Sequence, residues 1–192
     1  MATIRESATV TGTELAETLN AAHPGWNLSA SDAFLLIYGG SVNFRKTGTA
    51  CASGCWGETF FRGGVHEIEV YTDADLAAGD ARWAVHELGY AFVNTGRGHP
   101  VSTLARYQNL MEGFPDRPIT PNDRNGTWGY AGTRWGWQRS DQGKPSEEFA
   151  DMYLGWVYNQ WKVGRNGSWT DAGQMRARFM NSYMPMWVNM GH

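Results

Sequence analysis

The chain reads as an α+β protein, with a small sheet early and helices dominating later. Three observations predict this. Residues 65–71 alternate, with Ile68 and Val70 apolar against Glu67 and Glu69, which is the pattern of a strand buried on one face. Residues 74–94 carry Ala81, Val85, Leu88 and Phe92 at helical spacing. Two further helical stretches follow, near 147–162 and 171–183, and neither a repeat nor a linker separates the segments. With 192 residues, one well-buried domain spanning 1–192 is the expectation.

Taken in order, Thr11 to Ala22 predicts a first helix through Leu15 and Leu19, stopped by His23-Pro24-Gly25. The apolar run Ala33 to Tyr38 ends at Gly39-Gly40 and predicts a buried strand. Gly48 to Gly64 is rich in small residues and reads as loop or hairpin. Thr72-Asp73 opens the long helix, and Thr95-Gly96-Arg97-Gly98 closes it. A weaker helix is predicted around Thr103 to Glu112. The stretch from Asn125 to Trp137 holds too many glycines for a helix and predicts a long aromatic loop, a kind of segment that is often functional. Ser146 is placed to cap the helix that follows, and the last helix is expected to end before Met184-Pro185.

Composition excludes several classes. Charged residues make up 18% and hydrophobic residues 42%, a globular balance. The net charge of −3 gives no basic footprint for nucleic acid. No apolar run reaches the roughly 20 residues a transmembrane helix needs, and Met1 to Glu6 lacks a secretory leader pattern, so no membrane association is expected. Cys51 and Cys55 are too few for a structural zinc site. They read either as a small disulfide loop, which would lean toward an extracellular setting, or as two free thiols.

The chemistry concentrates in His86-Glu87-Leu88-Gly89-Tyr90. On a helix, positions 86 and 90 lie one turn apart on the same face, with 87 beside them. The pattern H-E-x-x-H uses this geometry, two His binding zinc while the Glu acts as base on the metal-bound water. Here the fifth position is Tyr90. A solvated polar face on a helix is the plainer alternative.

With Val85 before it and Ala91-Phe92 after it, this segment resembles the active-site helix of the zincin metallopeptidases. That resemblance implies a zincin-like domain, a peptide or protein substrate, and an edge strand just before the helix, a slot that residues 65–71 occupy. Glu147-Glu148-Phe149-Ala150-Asp151 resembles the third-ligand helix of the glutamate zincins, or gluzincins. The resemblance makes Glu147 a metal ligand, with Glu148 as the alternative, and makes Asp151 the carboxylate that orients His86. An acidic first turn favoured by the helix dipole would explain the same residues without a metal. A metzincin pattern does not fit, because position 96 is Gly; His99 is the nearest imidazole.

The resemblance therefore implies Zn²⁺ held by His86, Glu147 and the position of Tyr90, with Glu87 catalytic and Tyr130 or Arg134 stabilising the oxyanion. A phenol of ordinary pKa near 10 costs about 4 kcal/mol to deprotonate at pH 7, so zinc binding and catalysis should be impaired. Tyr90 reads as a disabling replacement, as the mark of a natural pseudoenzyme, or as a ligand for a harder ion such as Fe³⁺. The alternative class is a non-catalytic binding module, in which Trp128, Trp135 and Trp137 form a platform for glycan or protein. A third is an inhibitory partner that keeps only the scaffold.

Overall fold

In a computed structural model, residues 2–39, 42–52, 57–71, 82–103, 145–161, 168 and 171–190 are described. The protein is α+β, with a three-stranded sheet. The chain divides into two compact units, Met1–Arg97 with Val188–His192, and Gly98–Trp187.

The first unit opens with α1 (Ala2–Ala22). Its buried stripe is Thr3, Ser7, Thr11, Leu15 and Leu19, one residue every turn. The helix begins nine residues before the expected Thr11. Its first half is rich in hydroxyls, which normally compete with helix formation. Here Ser7, Thr9 and Thr13 return their hydroxyls to the carbonyls of Ile4, Arg5 and Thr9, so helix and side chain coexist.

The run 33–38 is helix, not strand, within α2 (Ala30–Tyr38). Ser29 caps it: its Oγ accepts from the Asp32 amide at 3.2 Å, and Asp32 Oδ2 accepts from the Ser29 amide at 3.1 Å. The Ser29 hydroxyl also donates to Asp32 Oδ2 at 2.6 Å, and this bond, with the one from the Ser29 amide, holds the Asp32 carboxyl below its ordinary range. Gly39 closes the helix in the left-handed region at φ 70°, donating to the Leu35 carbonyl at 2.8 Å. A Cβ on Gly12 of α1 would collide with the backbone of Ala30, so a glycine there permits close crossing at the start of α2.

Strands β1 (Val42–Lys46), β2 (Gly57–Arg62) and β3 (Val65–Val70) form a sheet in the order β1-β3-β2. β1 runs parallel to β3, whereas β2 and β3 form an antiparallel hairpin through Gly63 and Gly64, both at positive φ. The alternation read from the sequence holds: Ile68 and Val70 are buried, and Glu67 and Glu69 face the other way. There Arg45 pairs with both carboxylates, reaching Glu67 at 2.6 Å, and Arg62 approaches Glu69 at 3.4 Å. Both guanidiniums are more than half exposed, so these pairs set the register more than they stabilise. The expected edge position of residues 65–71 is corrected. β3 is central, and β2 is the sheet edge over which α3 (Arg82–Asn94) packs.

Helix α3 buries Val85, Leu88 and Phe92 completely. Thr95 ends it by donating its hydroxyl to the Phe92 carbonyl at 2.6 Å, and Gly96 follows at φ 75°. Residues 72–81, including Ala81, lie outside the described residues.

In the second unit, residues 100–103 are helical, and most of the helix expected from Thr103 to Glu112 lies outside the described residues. Helix α4 (Pro145–Tyr158) ends at Asn159, which adopts φ 45°; Lys162, the expected end, lies outside the described residues. Helix α5 (Asp171–Asn189) continues through Pro185, beyond its expected end at Tyr183. Pro185 forfeits the hydrogen bond to Asn181, and both residues lie on the exposed side. Burial of Met184 and Trp187 next to the proline carries the helix onward. The core of this unit is aromatic: Trp187 is fully buried among Phe149, Phe179 and Tyr183, with ring centroids 5.2–5.9 Å away.

Candidate functional site

Helix α3 carries the candidate catalytic residues, and its apolar stripe determines how they face. Burying Val85, Leu88 and Phe92 against the rest of the first unit turns Glu87 toward β2 and leaves Tyr90 partly exposed. His86 is 4% exposed and Glu87 7%, so neither belongs to a solvated helix face. The rings of His86 and Tyr90 meet edge to face, with centroids 5.3 Å apart, as i,i+4 spacing requires.

A buried carboxylate needs a hydrogen-bonding partner. Glu87 receives one from Thr59 of β2, whose hydroxyl lies 2.7 Å from Oε2 and 3.0 Å from the Glu87 carbonyl oxygen. One proton serves both acceptors, and the shorter, charge-assisted contact is the stronger. The approach of α3 depends on Gly57. A Cβ there would lie 3.1 Å from the Trp83 ring and 3.3 Å from Glu87 Cγ. On the other side Tyr38 of α2, 2% exposed, donates its hydroxyl to the Leu88 carbonyl at 3.1 Å. Thus α3 is gripped on both sides of the His86-Glu87 pair.

The sequence reading missed Thr59 and His66. No spacing rule links Thr59 to Glu87, which lies 28 residues later. His66 sits on the same face of β3 as Ile68 and Val70, 4% exposed, and burial pulls its imidazole below the usual range. Its signal was the alternation itself, which places a polar ring among inward positions. On the opposite face, hydrogen bonding to Arg45 lowers the Glu69 carboxyl, and the contact with Glu58 pushes the Tyr71 phenol up to about 12.

Glu147 and Asp151 stand one turn apart on α4, in the second unit, and Asp151 is fully buried. The side chains of Glu147 and Glu148 lie outside the described residues, as do Trp128, Tyr130, Arg134, Trp135 and Trp137. His99 adopts φ 51° just beyond Gly98. Cys51 is disulfide-bonded; Cys55, the only other cysteine, lies outside the described residues.

No family model, characterised protein or solved structure matches this chain.

Among the described residues, no group of three or more His, Cys, Asp and Glu side chains is disposed to hold a metal ion. The donors on α3 are one imidazole and one phenol a turn apart, a set that fits an ion only with a further ligand. Among the described residues no helix is long and apolar enough to cross a membrane.

Proposed function

We propose that this chain is a zincin-like metallopeptidase scaffold acting on peptide bonds, with Glu87 as its catalytic carboxylate and Tyr90 as the residue that impairs it. The observation carrying this reading is a buried Glu87 beside His86 on α3, held by Thr59 from the sheet edge next to that helix. A carboxylate kept out of water and hydrogen-bonded at Oε2 is suited to hold and release a proton. The plainer alternative, a solvated polar face, predicts exposed side chains at 86 and 87.

In this reading His86 and Tyr90 would be two of the ion's ligands; the ligand set that the resemblance implies adds Glu147, with Asp151 as the orienting carboxylate. A bound divalent ion supplies an acidified water and polarises the substrate carbonyl. Glu87 takes the proton from the attacking water and passes it to the departing amine, while the Thr59 hydroxyl keeps Oε2 in place. Ferric iron is the ion a phenolate would favour. The same residues then serve as a weak zinc site and a poor peptidase.

The test uses the chain and its Tyr90→His variant in zinc titration calorimetry and in a quenched-peptide assay. Zinc should bind at least ~10-fold to 100-fold more tightly to the variant, a span that even a lost supporting contact can produce. Peptide cleavage should emerge in the variant and vanish when Glu87→Gln is added. Equal, negligible zinc binding by both forms would remove the metallopeptidase reading and favour a binding module. Strong iron binding by the unmodified chain, with a phenolate charge-transfer band, would assign Tyr90 as a ligand.

A further inference from the structure

His66 has no role in the chemistry above, yet its setting is unusual. Its Nδ1 is buried without a hydrogen-bond partner, although a buried imidazole normally finds one. Aromatic rings surround it: Tyr38 of α2 lies edge-on at 6.4 Å, and Phe61 of β2 is tilted against it at 5.0 Å. Phe61 is its cross-strand partner and is itself 54% exposed, so a half-exposed ring packs against the imidazole.

Among the described residues, the groups around it supply no countercharge. Val42 of β1 and Phe61 of β2 are its register partners, and Ile68 follows on its own strand face. On β1 that face continues to Phe44 and then Lys46, a like charge at the far end of the strand. From β2 comes Thr59, whose hydroxyl is engaged with Glu87 of α3 one pairing step away; from α2 comes the neutral phenol of Tyr38. Among the described residues no carboxylate pairs with the ring. The outward-facing Glu67 and Glu69 are engaged by Arg45 on the other side of the sheet.

We propose that His66 is an acid-operated latch on the β2–β3 hairpin: neutral, it is sealed behind Phe61 against Tyr38, and protonated, it draws in water and opens the Phe61 end of the hairpin. The opening is local because the hairpin tip, residues 61–64, is exposed. A Cβ added at Gly63 or Gly64 would meet nothing within 4 Å. It reaches the candidate site by two short routes. Phe61 is two residues from Thr59, which holds Glu87, and Tyr38 grips α3 at Leu88. The latch does not rest on the peptidase reading, since the contacts of His66 with Phe61 and Tyr38 involve none of the residues assigned to peptide chemistry.

The sign follows from burial. A histidine whose folded pKa lies below its unfolded value near 6.5 favours the closed form above that value, and the advantage fades as pH falls toward the folded pKa. Each unit of lowering is a tenfold bias toward closure.

The experiment follows the His66 ring by NMR in the full chain from pH 8 to pH 4, with amide exchange corrected for its intrinsic pH dependence. The imidazole should titrate below 6.5. Exchange across residues 57–70 should rise between pH 7 and pH 5 while α1 stays protected. In His66→Phe the rise should disappear; if that variant does not fold, His66→Gln takes its place. Titration at or above 6.5, an equal rise in the variant, or simultaneous loss of protection in α1 would each overturn the latch.

Discussion

Replacing Thr59 by Val tests the link between the sheet edge and the candidate catalytic carboxylate. The substitution preserves the branched shape and strand preference, and it removes only the hydroxyl that lies 2.7 Å from Glu87 Oε2 and 3.0 Å from its carbonyl. A hydrogen bond to a charged group contributes about 1.5–3 kcal/mol. Glu87 is 7% exposed, so water cannot readily replace the lost donor, and the upper half of that range applies. Two signatures follow. Urea unfolding should show a loss of about 2–3 kcal/mol at pH 7. In a double-mutant cycle, adding Glu87→Gln should show coupling of at least about 1 kcal/mol, because the second change removes the charge that the hydroxyl had served. Should Thr59→Val cost under about 0.5 kcal/mol, or the cycle close additively, the hydroxyl does not hold Glu87 and the positioning argument fails.

Two structural predictions are simpler. Arg97 donates to the Leu36, Val188 and Met190 carbonyls, gathering the ends of α2 and α5 in one guanidinium fork. Arg97→Met keeps the aliphatic stem and should cost about 1–2 kcal/mol, with faster amide exchange near Tyr38 and Asn189; unchanged exchange at both ends would refute it. Gly98 stands at φ 66° with its backbone against the buried Trp187 indole, where a Cβ would overlap the ring. Gly98→Ala should therefore cost about 2–4 kcal/mol from left-handed strain plus overpacking, measured by thermal unfolding, and a neutral result would contradict the close approach.

The sequence showed only part of this architecture, and the misses have physical reasons. The stripe Val85, Leu88, Phe92 and the alternation around Ile68 and Val70 were readable because each element buries one face, and burial imposes its period on the residues. Residues 33–38 were misread because a six-residue apolar run suits either a strand or a buried helical turn. The deciding signal lay just upstream, where Ser29 and Asp32 have the spacing of a capping box. β1 was missed for a different reason: its partner begins 24 positions later, at His66, in parallel register, so no turn marks the pairing. The edge position expected for residues 65–71 came from the resemblance, and pairing with β1 overturns it.

The candidate site divides the same way. His86, Glu87 and Tyr90 were visible because one helix supplies their spacing, whereas Thr59 joins them only once β2 has folded against α3. Local periodicity therefore reports the chemical groups, and the sheet decides how they are held. A carboxylate in the right motif but on a solvated face would be a weak base of ordinary pKa. Set against β2, with Gly57 allowing the approach and Thr59 supplying the donor, the same carboxylate is shielded and fixed. Substitutions at 57 and 59 should thus alter the behaviour of position 87 as strongly as changes within the helix do, although neither residue belongs to the motif that drew attention to it.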